Sequence, residues 1–113
     1  MNSVFLVGRL GADPESRRTG GGKLVCNLRL ATERQGRGEE KRTTDWHRVV
    51  VWERQAELCQ RYLTKGRMVA VSGRLQHSSW ETEAGEKRYR AEVVAYRVQF
   101  FSGANGGATH GEA

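Results

Sequence analysis

Period-two alternation of apolar and polar residues runs through most of this chain, and it restricts the fold to one built from half-buried β-strands. The clearest stretch is Lys23 to Glu33, where Leu24, Cys26, Leu28, Leu30 and Thr32 alternate with Lys23, Val25, Asn27, Arg29, Ala31 and Glu33. β-Branched and aromatic enrichment predicts four more strands: Ser3 to Leu10, Thr43 to Trp52, Arg67 to Trp80 and Lys87 to Phe101. Only Glu53 to Leu63 changes period. There Ala56, Cys59 and Leu63 recur with Leu58 and Tyr62 at helical spacing, and Lys65-Gly66 supplies a stop. Polar links are expected at Gly11 to Gly22 and Arg34 to Arg42, with a hairpin tip at Glu83-Ala84-Gly85-Glu86. Five strands with one helix between the third and fourth match the order of the OB-fold, an all-β Greek-key barrel. A β-sandwich would want about seven strands and no helix.

The chain has 113 residues, which is enough for one core but not for a core and a separate catalytic lobe. Residues 1–101 are read as the folded domain. Residues 102–113 hold four Gly and three Ala and no larger hydrophobe, so they cannot offset their ordering entropy and are expected to form a flexible tail or tail stub. No apolar run approaches the ~20 residues of a membrane span. Arg9, Asp13 and Glu15 interrupt the N-terminal apolar residues, unlike a signal peptide, so a cytoplasmic protein is expected. Cys26 and Cys59 lack a CxxC or a nearby His pair, and they are expected to be buried free thiols rather than metal ligands or a disulfide. No cofactor is implied.

Nineteen Lys and Arg against thirteen Asp and Glu give a formal charge of +6. A basic domain of this size attracts polyanions, nucleic acid foremost. Fifteen of the nineteen bases are Arg, whose planar fork suits phosphates and stacks on bases, although the complete lack of Ile points to codon usage as the source of that bias.

Three tryptophans stand out by their parity. In the third strand Thr44, Trp46, Arg48, Val50 and Trp52 share one face, and Asp45, His47, Val49 and Val51 share the other. Six residues at ~3.3 Å each separate the two indoles by about 20 Å, the span of several stacked nucleotides. Trp80 extends Arg74, Gln76 and Ser78, on the parity opposite to Val69, Val71 and Leu75. A lone Trp is usually a core residue, but three on polar faces of a basic barrel fit a surface for unstacked bases beside arginines that take the phosphates. Catalytic alternatives are weak. Gly20-Gly21-Gly22-Lys23 lacks the leading Gly of a phosphate loop and has Leu24 where Ser or Thr should hold magnesium. Asp13 and Asp45 are the only aspartates, no Gly-x-Ser-x-Gly or His-x-x-x-His occurs, and a nuclease remains a distant second class to binding.

Residues 2–101 resemble the bacterial single-stranded DNA-binding protein family. The resemblance lies in Asn2 to Glu15 (NSVFLVGRLGADPE), Asn27 to Thr32 (NLRLAT), Thr44 to Trp52 (TDWHRVVVW), Tyr62 to Gly66 (YLTKG) and Val71 to Leu75 (VSGRL), in that order. It implies an OB-fold that assembles as a homotetramer and wraps single-stranded DNA in replication, recombination and repair. Carried over by position, Trp46, Trp52 and Trp80 fall on stacking aromatics, Arg48, Arg54 and Lys65 on basic or polar backbone contacts, and His47 on a subunit contact. Glu33 to Gly38 has no aromatic where many members carry another Trp, a gap that Arg34 and Arg37 would fill. The family's acidic, hydrophobic-tipped C-terminal peptide has no counterpart in Gly111-Glu112-Ala113, so recruitment of other genome-maintenance proteins is not expected, and the chain is read as either shortened or naturally short. Two other OB-fold modules compete, a dimeric primosome accessory protein and an RNA-binding domain of the cold-shock kind. The first strand adds its own evidence for assembly. Val4 and Leu6 point one way and Phe5 and Val7 the other, and a strand apolar on both faces of a small barrel needs an outer cover.

Overall fold

A computed structural model describes residues 1–35 and 42–101. In chain order the elements are β1 (Val4–Leu10), β2 (Glu15–Arg18), β3 (Leu24–Gln35), β4 (Arg42–Trp52), α1 (Glu53–Tyr62), β5 (Met68–Glu81) and β6 (Lys87–Phe100). The sheet order is β1-β5-β6-β4-β3-β2, and an additional β1–β3 pairing closes five strands into a barrel. The predicted OB-fold order is thus present, with one addition. Part of the expected Gly11 to Gly22 link folds as β2, which pairs antiparallel with β3 from Glu15↔Asn27 to Arg18↔Leu24. Its sequence, Glu-Ser-Arg-Arg, has no apolar alternation to reveal it, and its order comes from the ladder that β3 offers. The tip predicted at Glu83-Ala84-Gly85-Glu86 is a tight turn, closed by Gly85 N–H to Thr82 O at 2.9 Å and Thr82 N–H to Glu86 O at 2.8 Å. Gly85 sits there at φ +86°, which only glycine adopts without strain. The Arg37 region and the 102–113 tail lie outside the described residues.

Alternation resolves into two faces along most of the strands, although Val25, Val50 and Ala70 of the outer parity are buried as well, at 1%, 8% and 5% exposure. Cys26, Leu28 and Leu30 of β3 meet Val49 and Val51 of β4, Val69 and Val71 of β5, and Val98 and Phe100 of β6 in a single core. The end of β1 is pressed so closely on β3 that a Cβ on Gly8 would lie 2.2 Å from the Ala31 carbonyl oxygen, so the closing seam requires glycine. Helix α1 packs its Ala56 and Cys59 side, with Leu63 at its C-terminus, against this core. Gln55 ties it to β6, donating to the Tyr96 carbonyl and accepting from Val98 N–H at 2.9 Å.

Both thiols are free and fully buried, as expected. Burial pushes Cys26 up to about 11, and burial together with the charge of Cys26 pushes Cys59 up to about 12. Because these values are raised on folding, the thiols favour the folded state below the ordinary thiol range of about 8.5, and that contribution is lost as pH rises towards them. We expect a disulfide reagent at pH 8 to leave both cysteines intact until the protein is denatured, and the melting temperature to fall as the medium is made more alkaline than about pH 9. Rapid labelling of the native protein would contradict this.

One core assignment changes. Leu75 has the same parity as Val69 and Val71, yet it is 38% exposed. A register shift at Ser72/Gly73 and the end of the β1 ladder at Val4↔Gly73 leave it beyond the barrel wall, where Asn2 brackets its backbone with two hydrogen bonds of 2.7 and 2.8 Å.

Candidate nucleic-acid interface

Register carries the parity argument across the sheet. β3 pairs with β4 through Val25↔Trp52, Asn27↔Val50, Arg29↔Arg48 and Ala31↔Trp46, so these residues share the outer face. β4 runs parallel to β6 with Val50↔Val94, and β6 pairs with β5 through Val94↔Arg74, Glu92↔Gln76, Arg90↔Ser78 and Arg88↔Trp80. All three tryptophans therefore lie on one continuous outer surface. Trp46 is 51% exposed, Trp52 39% and Trp80 42%.

Two of the three indoles are each held by a cation. The Arg29 guanidinium lies 4.4 Å from the Trp46 ring centroid, and the Arg90 guanidinium lies 4.7 Å from that of Trp80. At such distances the ring quadrupole attracts the cation and fixes the ring. Trp46 also rests on the backbone of Gly11, where a Cβ would come within 2.3 Å of its Cζ3. Gly11, which follows the first strand, is thus required as the bed of an indole in the third predicted strand.

Two clefts line the surface. One, of about 360 Å³, runs from Asp13 and Glu15 past Arg29 to Trp46 and Arg48. The other, of about 410 Å³, lies between Trp52 and the β5–β6 pair and holds four arginines, Arg17, Arg48, Arg74 and Arg90. Arg48 belongs to both, which places it between the Trp46 and Trp52 platforms as the sequence implied. Its Nε donates to Glu92 at 3.0 Å.

Arg54 and Lys65 border neither cleft. Arg54 is exposed on the first turn of α1, just beyond Trp52. Lys65 is exposed after the helix, and its backbone N–H donates to Asp13 Oδ1 at 2.8 Å, so it stands next to the rim of the first cleft. Arg34 is exposed but already paired. It makes a two-pronged contact with Asp45, at 3.1 and 3.2 Å, and its hydrogen bond holds that carboxyl below the usual range. Sequence reading missed Arg17, Arg29, Arg74, Arg90 and Glu92. The polar parity of Arg29 and Arg74 was visible, but not which indole or cleft they meet.

The residues expected at a subunit contact divide. Val4 and Leu6 turn towards the core and are partly buried against it. Phe5 and Val7 face outward, 68% and 45% exposed. His47 is half-buried, with Nε2 2.8 Å from Thr32 Oγ1.

The model of the single-strand binding protein family matches residues 1–101. The chain belongs to that family. It is 40% identical over 111 residues to single-stranded DNA-binding protein 1 of Chlorobaculum tepidum, an alignment covering 95% of this chain and 68% of the relative. Among solved structures it is similar to the Plasmodium falciparum SSB in complex with ssDNA, with a TM-score of 0.78, 36% identity and coverage of 84% of this chain and 86% of that one. No helix among the described residues of this family member is long and apolar enough to cross a membrane.

Proposed function

We propose that this chain binds and protects single-stranded DNA without reading its sequence, stacking bases on Trp46, Trp52 and Trp80 while Arg48 and its neighbours take the phosphates. The observation that carries the reading is the placement of three half-exposed indoles on one arginine-lined face. Every base has a π-face, so such platforms bind any sequence, and a duplex, whose bases are already stacked, is excluded. Arg54, beyond Trp52, and Lys65, beside the first cleft, extend the cationic path. The protein acts by binding alone, as a homotetramer in replication, recombination and repair, with residues 1–101 as the binding domain. A cytoplasmic, nucleoid-associated location belongs to the same reading.

Titration with poly(dT), followed by tryptophan fluorescence and by mass, tests it. Strong quenching is expected, with little from duplex DNA of equal length, and equal quenching by both would overturn the stacking assignment. Log affinity should fall with log salt by ~0.7 per neutralised phosphate, and Arg48→Ala should make that slope shallower for all sequences alike. Stronger competition by RNA than by DNA oligonucleotides would favour the cold-shock kind of module instead, and a stable dimer would favour the primosome relative.

A further inference from the structure

The cleft between Trp52 and the β5–β6 pair contains one carboxylate among four arginines. Glu92 receives Arg48 Nε at 3.0 Å, and Arg90 Nη1 lies 3.7 Å away. Its side chain is only 14% exposed, whereas those of Arg48 and Arg90 are 44% and 39% exposed. The acid is thus set into the floor and the cations stand above it. β6 fixes it there opposite Gln76, which itself accepts from Arg74 Nη1 at 2.9 Å.

We infer that Glu92 is an internal counter-anion that holds the affinity of this groove for single-stranded DNA below what its arginines alone would give. The inference rests on the binding reading above. A guanidinium carries five N–H donors, and Glu92 engages the Nε of Arg48, so the terminal nitrogens stay free for a phosphate. The phosphate therefore does not need to displace Glu92. It meets instead a cation pair already balanced in part by a negative charge seated in the floor, and partial shielding from water keeps that repulsion from being fully screened. The groove keeps its geometry and gives up affinity, which shortens each contact and lets bound strand be released or shifted.

Glu92→Gln tests this, because the amide keeps the shape and an acceptor oxygen for Arg48 but removes the charge. The expected result is tighter binding of oligo(dT) at low salt, on the order of tenfold. The salt dependence should also steepen, by up to about 0.7 in slope, since a cation no longer balanced internally gains a phosphate partner. A change in packing alone would not move that slope. In an Arg48→Ala background the gain should shrink. Affinities are read below the melting transition of every variant. Unchanged or weaker binding by Glu92→Gln, with Arg48→Ala and Trp52→Ala both weakening it, would overturn the role of Glu92 and leave the binding reading standing. Wild-type affinity in Arg48→Ala and Trp52→Ala would overturn the binding reading of this groove itself.

Discussion

Replacing Trp46 and Trp80 together by alanine is expected to weaken oligo(dT) binding by about 2–6 kcal/mol, the sum of ~1–3 kcal/mol for each stacked base. That is a loss of roughly thirtyfold to more than ten-thousandfold in affinity. The two indoles sit on different strand pairs, Trp46 on β3–β4 and Trp80 on β5–β6, each held by its own arginine, so their effects should add. In each, a guanidinium occupies part of the ring environment, and about half of the residue surface remains open to a base. The same exposure separates binding from stability. A core tryptophan truncated to alanine costs ~3–5 kcal/mol of folding stability, whereas these two should leave the melting temperature close to that of the parent. Anisotropy of a labelled dT oligonucleotide alongside thermal melts reads both quantities. Preserved affinity in the double variant would remove stacking from the account.

Phe5→Asp should break the assembly, reducing the mass in solution from four chains to two or one. Phe5 and Val7 stand on the outer face of β1, paired with Ser72 and Ala70 of β5, and no described residue of the chain covers them. The aromatics of β6 do not shield them. Phe100 is buried in the core, and Tyr96 is itself 58% exposed. An aspartate in an apolar subunit contact would have to be desolvated without a partner, at several kcal/mol per chain. Sedimentation equilibrium at micromolar concentration decides the matter, and a wild-type protein that runs as a monomer there would end the proposal.

Much of this architecture was legible because period-two parity survives folding intact. Trp46, Arg48 and Trp52 were placed on one face from β4 alone, and the helix was bounded to within a residue by Ala56, Cys59 and Leu63. What the sequence hid depends on register between distant segments. The contact of Arg48 with Glu92 joins residues 44 apart, through a parallel pairing of only Val49↔Val93 and Val50↔Val94. Nothing local announces it. Leu75 shows the converse limit, since parity tells which way a side chain points but not whether a wall still stands opposite. β2 was hidden for a third reason, because a strand recruited by its neighbour's backbone needs no apolar signature of its own.

The two strand pairs of the outer face differ in mechanical support. Beyond Gln76 and Glu92 the last partners of β1 and β4 have been passed, and β5 and β6 continue as a ribbon of two strands that carries Trp80 near its tip. A two-stranded ribbon is only marginally stable by itself and twists more than a sheet. Trp46, by contrast, is seated on β3, β4 and the Gly11 backbone. One of the two proposed stacking sites is therefore stiff and the other compliant. A polymer whose nucleotide spacing varies from one bond to the next can be gripped firmly at the first and accommodated by the give of the second, so indifference to sequence is met by tolerance of contour.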